Sequence, residues 1–232
     1  LFFRYLKRFL VLAGALLATF MIYGSRNTLP VVQGQYPEAR YAAALSSLPI
    51  QLHSLPNSGN SEKASIKCKA LVYQALLSLP KAHRELLKNL TLNYSGDSRR
   101  GLGGNSSIVL RCSNVTDKEL GAVLAHEIGH LVDSDYLIGS ADSSPTPFKD
   151  FDKTILDDDP SVFFFGISWL SDVRLKPEST EYDFVSRYGM TDPFEDFAES
   201  YAYYRHHGTD FRALAETNGA LKEKYDFLKN FV

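Results

Sequence analysis

The run His126-Glu127-Ile128-Gly129-His130 is the part of this chain whose residue types and spacing carry chemistry. On an α-helix, residues four apart share one face, so the two imidazoles stand side by side and can grip one Zn²⁺. Glu127 points toward a neighbouring face, near enough to take a proton from a water at the metal without being a ligand itself. The spacing thus divides the labour between two ligands and one general base. A buried helix whose two histidines are merely hydrogen-bonded is the structural alternative.

A metal site needs at least one more protein ligand. Tyr136 stands six residues past His130, so the extended three-histidine metzincin pattern is absent. Asp133 and Asp135 lie on or just beyond the end of the same helix, a poor position for reaching a shared metal. Residues 191–205, TDPFEDFAESYAYYR, are a better source. Glu195 and Glu199 are one helical turn apart there, so one can bind the metal while the other holds a ligand imidazole from behind. Glu195 is also three residues after Asp192, the place of an ordinary capping-box glutamate.

HEIGHLVD, followed after a long interval by Tyr188-Gly189 and then Glu195-Asp196-Phe197-Ala198-Glu199, resembles the catalytic domain of anthrax toxin lethal factor and the related Pro-Pro endopeptidases. Those are gluzincins, whose third zinc ligand is a glutamate. The resemblance implies His126, His130 and Glu195 as Zn²⁺ ligands and Glu127 as general base. It further implies that Tyr188 donates its hydroxyl to an oxyanion and that Glu199 is the family's glutamate behind a ligand histidine. It spans roughly the C-terminal two thirds of the chain, but its specific part is these two motif stretches. The substrate-reading loops share no resemblance, so cleavage preferences do not carry over.

The elements that must position these groups can be read from local signals. Thr116 with Glu119 forms a capping box, and Asp117 adds negative charge to the first turn of the motif helix. Leu120, Leu124, Ile128 and Leu131 make a stripe that can face a core while the histidines face a cleft. Gly129 is expected to keep side-chain bulk away from the metal. In the second helix Asp192 can cap, Pro193 suits the first position, and Phe194, Phe197, Tyr201 and Tyr204 recur at helical spacing. His206 and His207 are expected to end it.

Upstream, residues 61–90 predict one or two helices broken at Pro80. Residues 90–94 and 107–112 alternate as strands, and the glycine-rich stretch between them, residues 96–105, reads as a loop. Its Gly-x-Gly-Gly is no phosphate cradle, because a strand rather than a helix follows. A strand entering a zincin motif helix can pair with an extended substrate, so residues 102–108 are expected to border one, with an ordinary hairpin turn as the alternative. Cys68 and Cys112 are the two cysteines; they either form one disulfide or remain buried thiols.

Downstream of the motif helix, residues 139–160 read as a surface loop. Asp157-Asp158-Asp159 lacks the alternation of a calcium loop and reads as a solvated turn. Phe163, Phe164, Phe165 and Trp169 supply apolar mass for the core by default, or else for a wall of the cleft. The tail, residues 210–232, predicts a helix interrupted at Asn218-Gly219.

Arg4, Lys7 and Arg8 precede an uncharged apolar run over residues 9–23, the layout of an export signal or a single membrane anchor. A formal charge of -2 with both signs interspersed argues against a nucleic-acid partner. The expectation is an α+β zincin-like metallopeptidase domain, mostly helical with a small sheet, over residues 61–232. Residues 1–26 would be a signal peptide or N-terminal anchor and residues 27–60 a linker, with one short helix possible from Pro37 to Leu48. The expected activity is that of an exported zinc endopeptidase acting on protein or peptide substrates, either periplasmic, extracellular or anchored outside the membrane. The alternatives are an exported zinc-binding interaction module without catalysis and a metal-dependent amidase acting on a cell-wall crosslink.

Overall fold

The computed structural model describes residues 38–55, 62–95 and 99–231. The basic and apolar segment read as a signal or anchor lies outside the described residues. No helix among the described residues is long and apolar enough to cross a membrane.

The chain runs α1 (Glu38–Ser46), β1 (Gln51–Leu55), α2 (Glu62–Ser78), α3 (Lys81–Arg84), β2 (Asn89–Asn93), β3 (Gly101–Gly104), β4 (Ser107–Arg111) and α4 (Asp117–Leu131). A π-helical turn, Val132–Tyr136, prolongs α4, and the hairpin β5 (Pro145–Asp150) and β6 (Lys153–Leu156) follows. Then come α5 (Pro160–Ser168), β7 (Trp169–Ser171), β8 (Arg174–Leu175), two short 3-10 turns, α6 (Pro193–Ala215) and α7 (Gly219–Phe231).

The main sheet has the order β1-β2-β4-β3, with β3 at one edge. β1, β2 and β4 are mutually parallel and β3 is antiparallel to β4. The connection between parallel β1 and β2 cannot be a tight hairpin, and α2 and α3 supply it. Strict alternation in β2 and β4 puts Leu90, Leu92, Ile108 and Leu110 on the buried face. Against that face packs the predicted stripe of α4: Leu120, Leu124, Ile128 and Leu131 are all buried. Helix α6 adds Phe197 and Tyr201 to the same core.

The short helix expected within the linker stretch is α1, and the same stretch adds the strand β1 and places Leu45 in the core, because the apolar side chains between its prolines find a partner in β2 and α2. Two loop expectations are corrected. The presumed loop at residues 96–105 ends in the edge strand β3, whose glycines pair with β4 as Gly101 with Leu110 and Gly103 with Ile108. The presumed loop at residues 139–160 contains the β5–β6 hairpin, with Phe148 and Ile155 turned inward.

The aspartate triplet makes local caps rather than a cation loop. Asp157 accepts from the Ser144 amide, Asp158 from the Ser140 amide, and Asp159 caps α5 through the Ser161 amide. Phe164, Phe165 and Trp169 are buried, whereas Phe163 is exposed. Cys68 of α2 and Cys112, just past β4, form a disulfide that ties the first long helix to the strand leading into α4.

Candidate functional site

Helix α4 begins as its sequence suggested. Thr116 accepts from the Glu119 amide while the Glu119 carboxylate accepts from the Thr116 amide. Helix α6 starts equally firmly, with Asp192 accepting from the amides of Phe194 and Glu195 and Pro193 in the first turn. The two helices meet at Gly129, where an added Cβ would lie 2.9 Å from the Ala198 Cα. Gly129 therefore buys helix-to-helix proximity, which corrects the expectation that it clears space around a metal.

That approach brings three groups together. His126 Nε2 and His130 Nε2 are 3.2 Å apart, and Glu195 Oε2 is 3.2 Å from the first and 3.4 Å from the second. Tetrahedral zinc with ligand bonds of about 2.0–2.1 Å requires ligand atoms about 3.3 Å apart. The triangle has that edge length on all three sides. Glu195 Oε2 is buried and makes no hydrogen bond, although it faces both imidazoles. An atom so placed is satisfied by a cation at the centre of the triangle. Among the described residues, His126, His130 and Glu195 are the group of three that could hold a metal ion.

The electrostatics agree with the geometry. Burial raises the Glu195 pKa, but both histidines outweigh it and hold the carboxyl well below the usual range. Burial lowers the histidines' own pKa values, and the carboxylates outweigh that too, through Glu195 and Glu199 at His126 and chiefly through Glu195 at His130. The pocket thus favours positive charge between its walls.

Glu199 lies behind His126, its Oε1 2.8 Å from Nδ1. This contact leaves Nε2 as the nitrogen that faces His130 and Glu195. The other Glu199 oxygen accepts from the Ser186 hydroxyl at 2.5 Å, and Ser186 Oγ in turn accepts from the Gly189 amide. Tyr188, in the turn between those residues, donates to Glu195 Oε1 at 2.9 Å. Burial and the adjacent Glu195 keep its phenol protonated.

Glu127 is 6% exposed. Burial raises its pKa, while the two histidines and the Gly103 amide pull it back. Its carboxyl packs against Gly101 and Gly103 of β3. Asp133 is buried elsewhere with its pKa pushed up to about 8 by desolvation, and Asp135 accepts from Ser106. Neither joins the triangle. His206 faces the Gly121 carbonyl and His207 pairs with Asp210. The helix does not end there but kinks, His207 having φ −135° and ψ 33°.

Two parts of this arrangement were missed in the sequence. Ser186 sits in a stretch with no periodicity and carries no motif. Asp196, next to Glu195, is fully buried and accepts two bonds from Lys224 Nζ of α7 at 2.9 and 2.7 Å and one from Trp169 Nε1 at 3.0 Å. Lys224 also donates to the Asp183 carbonyl and lies 4.0 Å over the Phe184 ring. By sequence Asp196 looks like a first-turn carboxylate and Lys224 like one of many lysines on an exposed helix face.

Residues 71–145 match the family model described as Peptidase family M48, a family of zinc metallopeptidases. The matched stretch includes the HEIGH run and ends before Tyr188 and Glu195. No curated protein matches the chain.

Proposed function

We propose that this chain is a zinc-dependent endopeptidase of the gluzincin type, with His126, His130 and Glu195 as ligands and Glu127 as general base. The observation that carries the reading is the near-equilateral triangle of ligand atoms, whose sides of 3.2, 3.2 and 3.4 Å suit a tetrahedral ion. The match to the M48 model supports peptide hydrolysis in general. The resemblance to lethal factor and the Pro-Pro endopeptidases supports the glutamate ligand and the role of Tyr188.

A bound Zn²⁺ supplies Lewis acidity, which makes a water acidic near neutral pH and polarises a carbonyl. The protein's own groups then handle protons and orientation. Glu127 accepts the proton of the attacking water and returns it to the departing amine, a task helped by a carboxyl pKa that burial raises. Glu199 fixes the His126 ring through Nδ1, and Ser186 fixes Glu199. Tyr188, kept neutral, is a hydroxyl donor beside the ligand carboxylate and serves the oxyanion that develops on the carbonyl. Leu102, exposed on the edge strand, borders the substrate chain.

We infer export as the setting. The basic and apolar layout of residues 1–26 and the Cys68–Cys112 disulfide both support an oxidising compartment.

Zinc analysis of the purified protein, combined with peptide-library and cell-wall digests, tests the function. One zinc per chain with peptide cleavage that Glu127→Gln abolishes supports the proposal. Zinc without cleavage of either material makes the chain a binding module, and cleavage of cell-wall crosslinks alone makes it an amidase. A chain that takes up no zinc sinks the reading.

A further inference from the structure

Among the glycines of β3, two kinds of requirement are visible. Gly104 has φ +147° and nothing near its missing side chain, so its backbone conformation is what calls for glycine. Gly101 and Gly103 have no such φ, and an L-residue can adopt their backbone. What stands in the way is Glu127. A Cβ at Gly103 would lie 2.7 Å from Glu127 Oε2 and 3.3 Å from its backbone oxygen. A Cβ at Gly101 would collide with Glu127 Oε1 and lie 2.8 Å from both its Cδ and Val123 Cγ1. Both carboxylate oxygens of one residue therefore occupy the space that two side chains would fill.

The ladder explains why those two positions are the ones involved. The Arg111 amide donates to the Arg100 carbonyl, which makes Arg100 and Arg111 a hydrogen-bonded antiparallel pair. Alternation then turns the amides of Gly101 and Gly103 away from β4, toward the free edge of the sheet. The hairpin that carries these glycines is fastened to the end of the motif helix, because Ser106 in its turn donates to Asp135 at 3.0 Å. Strand and helix are thus held in one register.

We propose that Gly101 and Gly103 are positioning residues: together they form a side-chain-free cradle that holds the Glu127 carboxylate in its working orientation. The cradle needs glycine for clearance and not for backbone freedom. It lets a buried carboxylate occupy the space beside both glycines. The proposal rests on the reading of Glu127 as general base, but the steric part of it can be measured without any turnover.

The test is a mutant cycle in the full chain. Gly103→Ala, alone, should lower Tm by about 2–10 °C, the range expected for an extra methyl forced into a filled space. In a Glu127→Ala background, which removes the carboxylate, the same substitution should cost little or nothing. Gly101→Ala should need Val123→Ala as well as Glu127→Ala before its cost disappears. On peptide, Gly103→Ala should lower kcat by about 10²-fold with KM within a few-fold and zinc content unchanged, as expected for a displaced catalytic group. Pairing it with Glu127→Asp, one methylene shorter, should recover part of the lost Tm. If Gly103→Ala lowers Tm equally in the wild-type and Glu127→Ala backgrounds, or accumulates in neither, the cradle is overturned. It is overturned as well if Gly103→Ala leaves kcat intact or strips the zinc. If no variant, the parent included, binds zinc or cleaves peptide, the peptidase reading fails while the Tm cycle still decides the steric claim.

Discussion

The two helices that meet at the triangle support their functional groups in opposite ways. Around Glu127 on α4 the support is absence: glycines at 101 and 103 leave a gap that the carboxylate fills. Around Glu195 on α6 the support is a chain of side chains. Tyr188 holds one oxygen of Glu195, Glu199 and Ser186 brace His126, and Lys224 neutralises Asp196 in the turn that carries Glu195. On the proposed reading, the base, which accepts and releases a proton, is left with few partners, whereas the ligand, which stays in place, is given many. The difference teaches that burial alone does not define the role of a carboxylate here. Glu127, Asp196 and Glu199 are all at least nine-tenths buried, and their partners separate them.

Breaking the braced side should cost stability before chemistry. Lys224→Met leaves Asp196 charged and unpaired at zero exposure, and should destabilise the fold by about 3–5 kcal/mol in urea unfolding. Adding Asp196→Asn should recover much of that loss, and failure to do so would mean that the pair acts through packing alone. Tyr188→Phe keeps the ring and removes one donor; kcat should fall by about 10²-fold with zinc retained. An unaltered kcat would take Tyr188 out of the chemistry and leave it as a brace for Glu195.

Ser186→Ala tests the outermost link of the same chain. Zinc affinity measured by chelator competition should drop by about 10-fold, at the lower end for partners of metal-ligand contacts. An unaffected affinity would show that Glu199 needs no support of its own. A separate, pH-dependent effect is expected far from the triangle, at His83, which is buried on the Tyr201 hydroxyl at 2.8 Å with its pKa lowered to about 4 by desolvation and by Arg205. Its unfolded value is near 6.5, so the unfolded chain binds the proton first as pH falls. Stability from this group is complete above about pH 6.5 and is lost on descending to about pH 4, by roughly 1–3 kcal/mol. In His83→Phe the unfolding free energy should be flatter across that window. A slope identical to the parent's would remove His83 from the acid response.

How much was legible follows from the range over which each signal acts. The caps of α4 and α6, the apolar stripe of α4 and the break at Pro80 all operate within a turn or two, and each stands where the residues said. Stretches with weak periodicity misled. Residues 27–60, punctuated by prolines at 30, 37, 49 and 56, read as a spacer with room for one short helix, yet Leu45 and β1 are recruited by neighbours distant in sequence. The Gly-rich residues 101–104 read as loop, because strand propensity undervalues a glycine whose lack of a side chain is what the packing needs. Gly129 was noticed for the right property and assigned the wrong neighbour, Ala198 being 69 residues away in sequence and in contact in space.

By itself the sequence determined that His126 and His130 share a helical face with Glu127 beside them, since a spacing of four residues has that outcome on any α-helix. It also determined that Glu195 and Glu199 would be presented together, one turn apart. Only the tertiary structure decided that Glu195 Oε2 lies 3.2 Å from His126, that Glu127 nests in two glycines, and that Lys224 is the cation beneath Asp196. Helix geometry is set by local backbone bonds and repeats wherever a helix forms. Distances between elements depend on how whole surfaces interlock, and no spacing rule reaches across them.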